Sequence, residues 1–122
     1  MKIVFITWIL LLTIFSVLPD SNSGVIQLTS YKLTSSGFFL HLFSFFIAAL
    51  LCFKAFKHGG FNFVLTLGIA ILLYSILLEV IQVFLPYRTF NYYDILANFV
   101  GIGLGIIIFG IFTKSTAKQQ LV

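Results

Sequence analysis

The segment Phe61–Leu85, FNFVLTLGIAILLYSILLEVIQVFL, decides the fold. It holds one charged residue, Glu79, in a run long enough to cross a bilayer as a helix, which takes about 20 residues. A lone strand in hydrocarbon would leave its backbone groups unpaired, so helix is the expected form. Working outward, three further apolar runs follow the same pattern: Ile3 to Leu18, Gly37 to Phe53 and Ile95 to Phe112. The sequence therefore predicts an all-α, polytopic integral membrane protein. Its four transmembrane helices form a compact bundle in a single domain over residues 1–122, with a short tail at 113–122.

Composition agrees. The chain is 61% hydrophobic and 8% charged, whereas ordinary soluble domains carry about 25% charged residues. So little polar side chain cannot cover a water-exposed globule. The net charge of +4 comes from basic residues scattered singly near the ends of the apolar runs. That distribution suits topology signals and headgroup anchors, and it excludes a nucleic-acid-binding patch. Cys52 is alone, so no internal disulfide or CxxC metal site is expected.

The first run is read as a retained span, because no A-x-A cleavage signal follows it. Four spans place the N-terminus, the second loop and the C-terminus on one side. These carry Lys2, Lys54, Lys57, Lys114 and Lys118, against Lys32 and Arg88 on the other. The positive-inside rule then puts both termini in the cytoplasm of a plasma membrane. The loops Pro19 to Ser36 and Pro86 to Asp94 face outward, which in a bacterium is the periplasm or cell-wall space. Val25, Ile26 and Leu28 either lie along the outer surface or pack over what is below.

Following each span's direction brings six polar residues to one depth near that outer surface. They are His41 from the second span, Glu79 and Gln82 from the third, Arg88 from the loop, and Asp94 and Asn98 from the fourth. At about 100° per residue, the polar residues share stripes with small ones. The stripes are His41, Ser44, Ala48 and Cys52; Gly68, Ser75, Glu79 and Gln82; and Asp94, Ala97, Asn98, Gly101 and Gly105. Small residues let helix backbones approach closely in lipid, so Ala97, Gly101 and Gly105 read as a packing face. Gly103 lies off the stripe. Thr7, Thr13 and Ser16 of the first run share no stripe, and that span is expected to be peripheral.

Each polar residue also has a plainer reading. Asp94 suits a helix N-terminus, Arg88 a headgroup anchor, and Tyr87, Tyr92 and Tyr93 an aromatic belt. Glu79 resists this, since a carboxylate within a membrane span needs a partner; Arg88, His41 and Asn98 are the candidates. The cluster is thus a ligand-binding set or an ion-paired structural lock.

The segment Glu79–Gly101, EVIQVFLPYRTFNYYDILANFVG, reads as E-x-x-Q, P-x-R and D-x-x-x-N-x-x-G. This resembles the signature of the VanZ-like family, and HLFSF at His41–Phe45 resembles the family's His-Phe-x-x-Tyr element. The resemblance spans essentially the whole chain from the first run. It implies a compact four-helix membrane protein with a role in the cell envelope. The family's name comes from a protein linked to low-level resistance to the glycopeptide teicoplanin. Two features depart from the pattern. An Asp-Lys pair often found shortly before the His is replaced by Gly37 and Phe38, and the Tyr is Phe45.

Three functional expectations follow. One is binding of a polar head group, such as that of a cell-wall lipid intermediate, in the outer pocket. Another is a structural or partner subunit of a homo- or hetero-oligomeric complex. The third is an intramembrane enzyme using His41, Glu79 and Asp94, which is disfavoured because no nucleophile motif accompanies them. No cofactor and no metal are expected.

Overall fold

A computed structural model describes residues 1–19, 35–56, 60–88 and 90–119, with only the backbone described for 35–36 and 113–119. Four helices run in sequence: α1 (Lys2–Val17), α2 (Ser35–Ala55), α3 (Phe61–Val83) and α4 (Tyr92–Gln119). Among the described residues there is no strand. Gly37–Ala55, Phe61–Val83 and Tyr92–Phe112 are long and apolar enough to cross a membrane, whereas α1, at 16 residues, is shorter. At 1.5 Å per residue α1 measures about 24 Å, against roughly 30 Å of bilayer hydrocarbon. Lys32, Lys57 and the segment with Val25, Ile26 and Leu28 lie outside the described residues.

The helix bounds differ from the sequence expectation mainly in α4. Its helix begins at Tyr92 rather than Ile95 and continues through the expected tail to Gln119. Asn91 explains the early start. Its Oδ1 accepts a hydrogen bond from the Tyr93 backbone N–H at 3.1 Å. It therefore acts as the cap that satisfies an orphan donor. Asp94 occupies the first turn but leaves the capping to Asn91.

The bundle is assembled from the expected stripes. On α3 the buried residues are Val64, Gly68, Ile71, Ser75, Leu78, Glu79 and Gln82. On α2 they include Phe45, Ala48, Ala49, Cys52 and Phe53, and on α4 Ala97, Asn98, Gly101, Ile102 and Gly105. α4 packs most extensively on α2. The glycines account for this. A Cβ added at Gly101 would lie directly against the Leu42 carbonyl oxygen and 3.0 Å from the Phe46 nitrogen. One added at Gly105 would come within 2.8 Å of the Ala49 Cβ. Gly103, off the stripe, faces open space. Phe45 fills the family's Tyr position as a buried core residue.

α1 is the peripheral span expected, packing on α2 and α3 from outside. None of its residues is buried, yet polar bonds fasten it along its length. Trp8 Nε1 donates to the Ser44 carbonyl of α2 at 3.1 Å. The Tyr74 hydroxyl of α3 lies 2.6 Å from Thr13 Oγ1 and donates to the Ile9 carbonyl at 3.2 Å. Gln82 Nε2 donates to Ser16 Oγ at 2.7 Å. In a solvent without competing water, such bonds hold a helix that has little burial to offer.

Candidate functional site

The end of the bundle where α1 and α3 finish and α2 and α4 begin gathers the polar side chains. His41 stands two turns into α2 and is half-buried. Glu79 lies one turn before the end of α3 and is 1% exposed; Asn98 on α4 is fully buried. Asp94, half-buried, projects from the first turn of α4.

The geometry centres on the imidazole. His41 Nδ1 lies 3.1 Å from Asn98 Oδ1, a hydrogen bond. It is 3.7 Å from Glu79 Oε1, while Nε2 is 3.9 Å from Asp94 Oδ2. Both carboxylate separations exceed hydrogen-bond length. Nδ1 therefore carries the proton it donates to Asn98, and in the neutral ring Nε2 presents its lone pair towards Asp94. Two buried atoms have no partner among the described residues: Glu79 Oε2 and Asn98 Nδ2. One acceptor and one donor of residues that meet at His41 are thus left unmet. Such groups are rare in folded proteins, because each costs about 1–3 kcal/mol.

Of the six residues expected to converge, four meet around His41, and two are engaged elsewhere. Gln82 turns to Ser16, as described above. Arg88 is held by α1 through carbonyl oxygens. Its Nη2 donates to Phe15 and Leu18 at 2.8 Å each, and its Nε donates to Leu18 at 3.2 Å. Beside it the Tyr87 hydroxyl donates to the Val17 carbonyl at 3.1 Å. A helix C-terminus leaves its last carbonyls unpaired and carries partial negative charge, so a guanidinium belongs there. Of the three candidate partners for Glu79, His41 is at ion-pair distance. Among the described residues Arg88 makes no direct pair with Glu79 or Asp94.

His41, Glu79 and Asp94 each offer one ligand atom, and these atoms lie within 4.8 Å of one another. The sequence reading assigned no metal; the residues brought together are nonetheless ones that can hold a cation. Sequence reasoning also missed the residues that fasten α1, namely Trp8, Ser16, Thr13 and Tyr74. Thr13 and Ser16 do share a face, three residues apart, but including the exposed Thr7 hid it.

The comparison with protein families matches the VanZ/LLP1 model over residues 3–113. The chain belongs to the VanZ/LLP1 family. The match begins in the first turn of α1 and ends just past the membrane-length segment of α4, so it draws on all four helices. No curated protein and no solved structure matches the chain.

Proposed function

We propose that this VanZ/LLP1 protein is an integral membrane protein of the cell envelope that binds a polar lipid head group at the His41–Glu79–Asp94–Asn98 end of its bundle. The observation that carries this is the pair of buried polar atoms, Glu79 Oε2 and Asn98 Nδ2, that find no partner among the described residues of that cluster. A head group bearing both hydroxyls and phosphate or carbonyl oxygens would donate to the first and accept from the second. The membrane assignment is supported by the outer faces of the helices. Phe39, Leu40, Phe43, Leu73, Leu77, Phe99, Ile107 and Phe112 are all more than half exposed. Such a continuous apolar surface suits lipid rather than water.

The charge asymmetry of the loops supports cytoplasmic termini in a plasma membrane, with α1 as a fourth, shorter span. The polar end then lies at the outer leaflet, where cell-wall lipid intermediates present their head groups. The name the family shares with a glycopeptide-resistance protein makes reduced susceptibility to teicoplanin-type compounds a phenotype to test. The competing reading is a structural subunit whose cluster only locks the bundle, alone or in an oligomer. The test is mass spectrometry of lipid co-purified with wild type, Glu79→Gln and Asn98→Ala, alongside the amount of folded protein in membranes. Lipid lost at normal protein level is the expected result. Equal lipid in all three would exclude the binding site, and a fall in protein level would favour the structural subunit.

A further inference from the structure

We propose that His41, Glu79 and Asp94 form a divalent-cation site, and that the cation is what allows this end of the bundle to hold the phosphate of an anionic head group. The second half rests on the head-group reading above; the first half stands without it.

Three helices each supply one ligand of a type that metals use: an imidazole and two carboxylates, with ligand atoms inside a 4.8 Å envelope. A tetrahedral ion with bonds of about 2.0–2.1 Å holds its ligands roughly 3.4 Å apart. Closure from the 4.8 Å envelope therefore takes a contraction of up to about 1.4 Å, which rotamer changes of three side chains can supply.

Two independent details suit a cation here. Glu79 is 1% exposed, and its Oε2 has no donor among the described residues. A buried carboxylate oxygen without a partner is expensive, and a cation would satisfy it directly. Next, His41 Nε2 lies 3.9 Å from a carboxylate oxygen of Asp94, beyond hydrogen-bond length. A cation between them would take the lone pair of the neutral ring and that oxygen as ligands. Asn98 completes the pattern. By accepting the Nδ1–H at 3.1 Å it fixes the ring and its tautomer, the supporting role that a metal-bound histidine commonly requires.

Charge makes the cation functional. Arg88, the chain's one arginine, gives its hydrogen bonds to α1, so among the described residues no guanidinium is bonded to the two carboxylates of the cluster. An anionic phosphate brought there would meet like charge. A divalent ion with three protein ligands keeps an open coordination position for a phosphate oxygen. The mixed nitrogen and oxygen set suits Zn2+ or Mn2+ better than Ca2+ or Mg2+, which favour oxygen ligands alone.

The test uses the full chain in detergent, stripped with a chelator and titrated with Zn2+ alone and Mn2+ alone. Wild type should bind one ion per chain. Asp94→Asn and Asn98→Ala should each weaken binding by about 10- to 100-fold, the range seen when supporting groups or ligands are lost. Asp94→Asn is nearly isosteric at a half-buried position, and circular dichroism checks that the fold is kept. Cys52→Ala should bind like wild type, because Cys52 is not in the cluster. Sub-stoichiometric binding of both metals by wild type, or undiminished binding by Asp94→Asn, would overturn the site. A second arm measures lipid retained from nanodiscs of phosphatidylglycerol or phosphatidylcholine, with and without chelator. Phosphatidylglycerol enrichment that disappears on chelation is expected. Enrichment that survives chelation overturns the bridging cation and leaves the head-group reading intact. Metal binding with no enrichment overturns the head-group reading and leaves the cation site.

Discussion

Glu79 and Gly101 show what single residues contribute here. Glu79 is nearly inaccessible, and its nearest ionisable neighbour, His41, is 3.7 Å away. Burying a carboxylate costs several kcal/mol, and attraction offsets that only with close, well-formed partners. In metal-free protein, Glu79→Gln is therefore expected to leave thermal stability unchanged or raise it by about 1 kcal/mol. A clear drop in melting temperature would instead identify Glu79 as a structural lock. Gly101 is constrained by contact, since any side chain there strikes the backbone at Leu42. Gly101→Ala should cost about 1–3 kcal/mol as α2 and α4 are forced apart. Gly103→Ala, facing open space, should cost nothing. Thermal melts of the two variants side by side check this. The stripe Ala97, Gly101 and Gly105 was readable from spacing alone, because in lipid close approach demands small residues at a helical period. The partner of Arg88 was not, because a guanidinium accepts no single sequence-visible complement. Backbone carbonyls, which every helix C-terminus offers, attract it as well as a carboxylate does.

At the level of elements, α1 is the one whose attachment was least legible in its sequence. Its apolar surface is spread around the helix, and although Phe5 and Leu12 pack against the core, no α1 residue is fully buried. Hydrogen bonds add to that packing: Trp8 donates to α2, and α3 and the α3–α4 loop donate to α1. Three of these come from Arg88 to the α1 C-terminus. Hydrogen bonds to charged groups are worth about 1.5–3 kcal/mol. Arg88→Ala should thus loosen the last turn of α1, raising amide exchange over residues 14–18 while α3 stays protected. Uniform exchange changes along the chain would contradict that local role. Tyr74→Phe removes the bonds to Thr13 and Ile9 at mid-helix and should cost about 0.5–1.5 kcal/mol. The membrane-length helices were legible from hydropathy, with bounds shifted by a few residues. The start of α4 moved because capping by Asn91, a local side-chain bond, outweighed the change in hydrophobicity at Ile95.

For the whole molecule, up-and-down order brings the end of α3 and the starts of α2 and α4 together, and the polar cluster follows from that. The proposed orientation puts this end outside. In a Cys52→Ala background, Tyr92→Cys should react with a membrane-impermeant maleimide in intact cells, and Lys118→Cys only after permeabilisation. The reverse pattern would place the cluster at the cytoplasmic leaflet and remove the case for cell-wall lipids.

The sequence by itself determined the helical class, the packing stripes, the family and the shared depth of His41, Glu79, Asp94 and Asn98. Hydropathy and helical period are properties of neighbours along the chain, and they survive without coordinates. Only the tertiary structure decided which polar groups meet. It turned Arg88 and Gln82 towards α1, set Asn98 on the His41 ring and left Glu79 Oε2 without a donor. Those outcomes rest on hydrogen-bond lengths a few ångströms long between residues up to 73 positions apart. Depth along a helix can be counted from sequence, whereas direction at that resolution depends on how the helices rotate against one another.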